Sequence, residues 1–102
     1  MEVLCGSNEA ASEVAQRMAS ALGGVFALRE SEFWGEYWLW TEPGMEIKVV
    51  TQPDMEGEMV EEDFPGYRTL IYFEGSDAGY ADERISRATA MVDVLRREAD
   101  EK

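Results

Sequence analysis

The side chains best able to do chemistry form a run of carboxylates in the middle of the chain. Residues 52–66, QPDMEGEMVEEDFPG, carry six of them: Asp54, Glu56, Glu58, Glu61, Glu62 and Asp63. Such a group could supply a general acid and base, hold a hard cation, or attract a basic partner. Catalysis would require one carboxyl to be desolvated, and adjacent acids flanked by further acids indicate a solvated surface instead.

The spacing of these acids does not match a calcium-binding loop. Asp54, Glu56 and Glu58 place oxygen ligands at alternate positions, as such a loop requires. The pattern also needs glycine at the sixth position and glutamate at the twelfth, where this chain has Met59 and Pro65. We therefore predict no metal site.

Other catalytic templates are missing from the sequence. It contains no histidine for general-base work, and no Gly-x-Ser-x-Gly elbow, phosphate loop or Cys-x-x-Cys pair. Cys5 is the only cysteine, and its neighbours Val3 and Leu4 indicate a buried thiol that acts as a small hydrophobic side chain. We predict that the protein is not an enzyme and uses no cofactor.

The charge balance narrows the class of partner. The 102 residues include 22 acidic and nine basic ones, for a net charge of -13, and residues 31–67 hold ten acids against Lys48 alone. Nucleic acids and anionic membranes would repel such a surface. The acidic segment could simply keep the protein in solution, or it could dock a basic protein.

Aromatic residues gather in the same third of the chain. Seven of the eleven lie there: Phe33, Trp34, Tyr37, Trp38, Trp40, Phe64 and Tyr67. Large amphipathic rings beside charges of one sign are typical of a protein interface, where a partner's arginine can pair with carboxylates and stack on indoles. The partner-binding residues we predict are Trp38, Trp40, Phe64 and the six carboxylates of residues 52–66.

Apolar periodicity and turn residues predict seven elements in one domain spanning residues 1–102. Strands are expected at Glu2–Cys5, Val25–Glu30, Glu36–Glu42, Met45–Thr51 and Arg68–Glu74. A first helix is expected after a cap at Ser7 or Asn8, with its apolar face running from Ala11 to Leu22 and its end at Gly23-Gly24. A second helix is expected over Tyr80–Ala99. The order β-α-β-β-β-β-α predicts an α+β two-layer sandwich, with a mainly antiparallel sheet of four or five strands and both helices on one face.

Strand alternation decides which side chains lie on the face of the sheet that the helices do not cover. If Tyr37 and Leu39 face the helices, Trp38 and Trp40 lie on the open face, because successive side chains of a strand alternate.

No basic leader or long apolar run occurs in residues 1–22, so we expect no membrane association and a cytoplasmic location.

The middle of the chain resembles a known class of protein. The features concerned are Glu36-Tyr37-Trp38-Leu39-Trp40, Pro43-Gly44, the acidic segment closing with Asp63-Phe64-Pro65-Gly66-Tyr67, and Leu70-Ile71-Tyr72-Phe73. Over about residues 25–75 it is similar to the small acidic immunity proteins of bacterial polymorphic toxin systems. That resemblance implies a compact domain that neutralises a toxin by binding it, and assigns no role to an individual residue.

Three functional hypotheses remain at this point. The first is a non-catalytic interaction protein, such as an immunity- or antitoxin-like inhibitor of a basic protein. The second is a small-molecule-binding domain with Trp38, Trp40 and Tyr72 around a pocket beneath the acidic segment. The third is a homodimer paired through the open face of the sheet.

Overall fold

The computed structural model describes residues 1–54 and 56–98, which form a single antiparallel sheet with helices packed against it. The strands are β1 (Glu2–Ser7), β2 (Ala27–Ser31), β3 (Gly35–Glu42), β4 (Met45–Thr51), β5 (Thr69–Gly75) and β6 (Asp93–Glu98). The helices are α1 (Ala11–Leu22), α2 (Asp77–Tyr80) and α3 (Glu83–Ala90). The strand order is β2-β3-β4-β5-β1-β6, so β2 and β6 are the edges.

The predicted α+β class is confirmed, but details of the prediction differ. The described part of the chain has six strands and three helices, where four or five strands and two helices were expected. The single helix predicted over Tyr80–Ala99 is wrong, because this stretch ends α2 and then forms α3 and β6. Ala99 itself lies outside the described residues.

Local capping and long-range pairing explain that difference. Asp82 begins α3, because its carboxylate accepts a hydrogen bond from the backbone amide of Arg84 at 2.9 Å. After α3 the chain pairs with β1, which would otherwise be an edge strand, and half-buries Leu95 against the sheet. This tertiary pairing outweighs the helical spacing of the apolar residues.

One face of the sheet, the helix face, carries the main core. The apolar sides of α1 and α3 pack there against alternate residues of the four central strands β3, β4, β5 and β1. The strand residues with no exposed area on this face are Val3, Cys5, Ile47, Val49, Ile71 and Phe73. Burying each such aliphatic or aromatic side chain contributes roughly 1.5–3 kcal/mol, which makes this layer the main source of stability.

The opposite face, which we call the loop face, has a core of its own. Leu4, Val50 and Leu70 are buried on it. Half-buried residues from residues 52–67, the β2–β3 turn and three strands pack over them: Trp34, Tyr37, Val60, Phe64, Tyr67, Tyr72 and Leu95. The sheet is therefore covered on part of its second face as well, which the two-layer prediction did not include.

Candidate functional site

The acidic loop, residues 52–66, is tied to the sheet by one buried amide. Gln52 is 3% exposed, and its Nε2 donates to the carbonyls of Phe64 at 2.7 Å and Tyr67 at 2.6 Å. Its Oε1 accepts from the backbone amide of Glu61 at 3.1 Å. Because these bonds join the start of the loop to its middle and end, the loop is a positioned element of the structure.

Asp54 closes the first turn of the loop. Its Oδ1 accepts hydrogen bonds from the amides of Glu56 at 2.9 Å and Glu58 at 3.0 Å. The Asp54 amide donates to the Glu58 carbonyl at 2.8 Å. This carboxylate therefore shapes the loop, whereas the side chains of Glu56 and Glu58 are exposed.

Glu61 fastens the loop across the sheet. Its side chain is 18% exposed, accepts a hydrogen bond from the Tyr72 hydroxyl at 2.6 Å, and lies 3.4 Å from the Arg96 guanidinium. Burial, together with this bond to Glu61, raises the pKa of Tyr72 well above its usual range. The loop thus contacts β5 and β6 through this shielded acid.

The predicted binding residues of the acidic loop therefore fall into two groups, the exposed acids and the residues that hold the loop in place. Glu56, Glu58, Glu62 and Asp63 are exposed, and within residues 1–54 and 56–98 none of them forms an ion pair. Phe64 is half-buried over the loop-face core. Together with Asp54 and Glu61 it holds the loop in place.

The placement predicted for Trp38 and Trp40 is wrong. Trp40 is 4% exposed within the helix-face core, and Trp38 is half-buried against the same core. Trp40 lies opposite Ile47 in the neighbouring strand, and Ile47 has no exposed area. The two tryptophan side chains therefore bury their large apolar area on the face that the helices cover. Alternation then places Tyr37 on the loop face.

A short turn between β2 and β3 positions two other aromatic residues. The Ser31 hydroxyl accepts from the amides of Phe33 at 3.1 Å and Trp34 at 3.3 Å. Phe33 is 77% exposed, whereas Trp34 packs over the loop face, stacked on Tyr72 with ring centroids 6.1 Å apart. Phe33 is thus a protruding ring beside exposed acids.

Four glutamates lie side by side across four neighbouring strands of the loop face. In the sheet register Glu2 is opposite Glu98 on β6 and Glu74 on β5, and Glu74 is also opposite Glu46 on β4. We call these residues the glutamate row. Like charges directly opposite each other destabilise a sheet. Burial and then the charges of Glu98 and Glu74 raise the pKa of Glu2, and Arg96 opposes them.

A groove of about 190 Å³ lies beside the glutamate row. It is lined by Glu2, Glu46, Glu74, Lys48, Trp34 and Tyr72. The Lys48 amine lies 3.4 Å from the Glu46 carboxylate and 5.7 Å from the centre of the Trp34 ring. Stacked aromatic rings beside carboxylates form a suitable environment for a cationic side chain.

A second pair of like charges lies near the β2–β3 turn. Glu30 on β2 is opposite Glu36 on β3, and both side chains are exposed. The antiparallel pairing places this turn at the end of the sheet where β4 leads into the acidic loop. The β2–β3 turn that carries Phe33 and the start of the acidic loop therefore lie at the same end of the sheet.

The sequence reasoning missed the glutamate row and the roles of Phe33 and Trp34. Residues Glu2, Glu46 and Glu74 are far apart along the chain, and only the strand register brings them together. The Ser31-Glu32-Phe33-Trp34-Gly35 turn carried a usable signal, because a serine hydroxyl can accept from the backbone amide two residues further on and fix such a turn.

The comparisons with known proteins find no match: no family model, curated protein or solved structure is similar to this chain. Among the described residues, no helix is long and apolar enough to cross a bilayer. In the same residues, no three acidic or cysteine side chains come together closely enough to hold a metal ion.

Proposed function

We propose that this protein is a non-catalytic interaction protein that binds a basic protein, in the manner of an immunity- or antitoxin-like inhibitor. The binding surface is the loop face, formed by the glutamate row, the acidic loop and the β2–β3 turn. The partner presents lysine or arginine side chains of matching spacing.

The glutamate row is the observation that carries this proposal. Acids that only keep a protein in solution can be dispersed over its surface, where they do not oppose each other directly. Here Glu2, Glu74 and Glu46 are consecutive cross-strand neighbours whose mutual repulsion lowers the stability of the free protein, and Lys48 beside Glu46 offsets part of it. A cationic partner removes this repulsion, so part of the binding free energy comes from relief of a strain present in the unbound state.

The acidic loop adds long-range attraction. Its exposed carboxylates have no cation beside them in the described part of the chain, so their field extends into solvent. Gln52 and Glu61 hold the loop in one position, which lowers the entropy lost when a partner binds. This combination increases the association rate and makes it sensitive to salt.

Aromatic residues supply the contacts that slow dissociation. Phe33 protrudes from the β2–β3 turn and can insert into an apolar pocket of the partner. A partner's arginine entering the groove beside Trp34 would meet Glu2, Glu46 and Glu74. We assign the aromatic anchors to Phe33 and Trp34, because Trp38 and Trp40 pack on the helix face.

The small-molecule hypothesis has less support. The pocket it required would be lined by Trp38, Trp40 and Tyr72, but the two tryptophans lie on the helix face and Tyr72 lies on the loop face. These three side chains are therefore separated by the sheet and do not line one cavity.

Affinity capture from the native host with matched variants tests the proposal. One variant, Glu2→Gln, Glu46→Gln and Glu74→Gln, removes three charges from the row. The control, Glu13→Gln, Asp77→Asn and Glu83→Gln, removes three from exposed positions on α1, α2 and α3. We expect a basic protein to be captured by the wild type and by the control, and lost with the row variant. Equal loss in both variants, or capture of no basic protein at low salt, would contradict the proposal.

A further inference from the structure

Lys48 is a cation that already lies in the groove beside the glutamate row. It is the one basic residue of residues 31–67, which also hold ten acids. Its ammonium is 3.4 Å from a carboxylate oxygen of Glu46 and 5.7 Å from the centre of the Trp34 ring. A cation within about 6 Å of an indole centre is attracted to the face of the ring. The groove of the unbound protein therefore holds an internal positive charge.

The aromatic wall of the groove is fixed in place. The Trp34 ring is stacked on Tyr72, with 12° between the ring planes, and the Trp34 amide donates to the Ser31 hydroxyl at 3.3 Å. The Tyr72 hydroxyl donates to Glu61 at 2.6 Å. Because these contacts hold both rings before any partner arrives, the wall needs little reordering to receive a cation.

Lys48 satisfies only part of the groove. Its 3.4 Å contact with Glu46 is longer than the roughly 2.7–2.9 Å of a strong charge-assisted hydrogen bond. Glu74 lies opposite Glu46, and within residues 1–54 and 56–98 neither Glu74 nor Glu2 forms an ion pair. Three carboxylates therefore line the groove against one ammonium.

A guanidinium group suits this lining better than an ammonium does. It is planar, stacks on an aromatic face, and donates through a rigid fork that can hold carboxylate oxygens. Glu46 and Glu74 are direct cross-strand neighbours, so their Cβ atoms are about 5 Å apart and one fork can reach both carboxylates. The groove, at about 190 Å³, is smaller than the roughly 300–1,000 Å³ pockets of drug-sized ligands and is of a size for one side chain.

We propose that Lys48 is a built-in competitor which a partner's arginine displaces from the groove, so that the groove selects arginine over lysine. The inference rests on the proposed function, because it takes the partner to be a basic protein on the loop face. A partner's lysine brings only the ammonium that Lys48 already supplies, so the exchange gains little. An arginine adds ring stacking and a second carboxylate contact. Lys48 can leave for solvent, since its side chain is already 33% exposed and its stem is flexible.

Titration with single amino-acid derivatives tests the selectivity without the native partner. The probes are N-acetyl-arginine amide and N-acetyl-lysine amide, which carry the same charge, and the Trp34 indole N–H resonance reports occupancy of the groove. We expect both the indole and the Lys48 amide to shift, and the arginine derivative to bind at least about threefold more tightly than the lysine derivative.

Lys48→Met tests the competition. The variant removes the internal cation and keeps an unbranched apolar stem beside Trp34, so we expect the arginine derivative to bind at least about threefold more tightly than to the wild type. The same variant should be less stable to urea, because the glutamate row loses a charge that offsets its repulsion. A lysine that only supported the fold would, when replaced, weaken stability and binding together.

Arg29→Met is the matched control, since it removes the same charge from the same face of the sheet. Arg29 lies opposite Tyr37 on β3, and its strand is two places from β4, roughly 10 Å away at the usual strand spacing. In about 0.15 M salt this separation exceeds the Debye length of about 8 Å. We expect this variant to bind the arginine derivative with unchanged affinity.

Glu74→Gln separates the second carboxylate contact from the ring contact. Glu74 is exposed, so the fold should tolerate the change, and urea unfolding checks this. We expect the advantage of the arginine derivative over the lysine derivative to disappear in this variant. Glu83→Gln on α3, outside the groove, should retain the advantage.

Four results would overturn the inference. They are an unshifted Trp34 indole with both probes, equal affinity for the two probes, unchanged or weaker binding in Lys48→Met, and equal tightening in Arg29→Met. Capture of a basic protein by the wild type alongside any of them would leave the proposed function standing. Capture of no basic protein would contradict the proposed function, whatever the titrations show of the groove.

Discussion

Glu2 on β1 lies directly opposite Glu74 on β5, with Glu98 on its other side and Glu46 beyond Glu74. Neutral pairs or pairs of opposite charge would stabilise these positions, and like charges do not. The arrangement reduces the stability of the free protein at the place where a cationic partner would bind most strongly. Stability and binding should therefore respond in opposite directions to changes in the glutamate row.

Glu2→Gln should stabilise the protein at neutral pH. The raised pKa of Glu2 means that the folded protein binds this proton more readily than the unfolded chain. Glu2 is half-buried and solvent still screens part of the repulsion, so we expect a gain of about 0.5 kcal/mol in the free energy of unfolding. Urea unfolding measures it, with Glu62→Gln on the exposed loop as a control expected to change little.

The stabilising effect of Glu2→Gln should disappear on acidification. A group with a raised folded-state pKa contributes its full stability below its ordinary value, 4.5 for glutamate, and that contribution is lost as the pH rises through the raised value. As the pH falls from 7 to about 4, the free energy of unfolding of the wild type should therefore approach that of the variant. Asp82, whose pKa the Arg84 guanidinium and amide lower to about 2, stays ionised over this range. A gap that stays constant with pH would contradict the assignment.

Tyr72→Phe should destabilise the protein by about 1 kcal/mol, because it removes the hydroxyl that donates to Glu61 and leaves a shielded carboxylate with one partner fewer. Tyr37→Phe is the matched control. Its ring packs over the same core, and in the described part of the chain its hydroxyl makes no hydrogen bond. Thermal and urea unfolding measure the difference, and equal effects of the two changes would show that the Tyr72–Glu61 contact is not stabilising.

Gln52→Ala should loosen the acidic loop without disturbing the helix-face core. The change leaves the Phe64 and Tyr67 carbonyls and the Glu61 amide without their buried partner, at an expected loss of about 2 kcal/mol. Amide hydrogen exchange should accelerate across residues 56–67 and stay slow in β1 and β5. Unchanged exchange in the loop would show that Gln52 does not hold it.

Phe33 and Trp40 should separate binding from folding. Phe33→Ala removes a ring that is 77% exposed and should leave the melting temperature nearly unchanged while weakening partner binding by about 2 kcal/mol. Trp40→Ala opens a cavity in the helix-face core and should reduce stability by about 3–5 kcal/mol. Calorimetric titration and thermal unfolding of both variants check this contrast. A stable Trp40→Ala, or full affinity in Phe33→Ala, would contradict the placement of these rings.

Elements fixed by neighbouring residues were predictable from the sequence. Helix α1 has its apolar residues at helical spacing and ends at Gly23, whose φ of 75° is easily adopted by glycine. The β3–β4 hairpin follows from strand alternation around Gly44, where φ is 87°. In these segments the local preferences agree with the final fold.

The errors arose where distant residues decide the outcome. Asp93–Glu98 forms a strand because β1 lies beside it, which no local pattern reveals. The alternation of Trp38 and Trp40 was predicted correctly, but the face that receives them depends on partners such as Ile47. The glutamate row likewise exists only in the register of β1, β4, β5 and β6.

The measurement that tests the central claim most directly is an amide chemical-shift map of the labelled protein titrated with its captured basic partner. We predict that the shifts fall on Glu2, Glu46, Glu74, the β2–β3 turn and the exposed residues of the acidic loop. Helices α1 and α3 should remain unaffected. Shifts confined to those helices, with the glutamate row unchanged, would contradict the account.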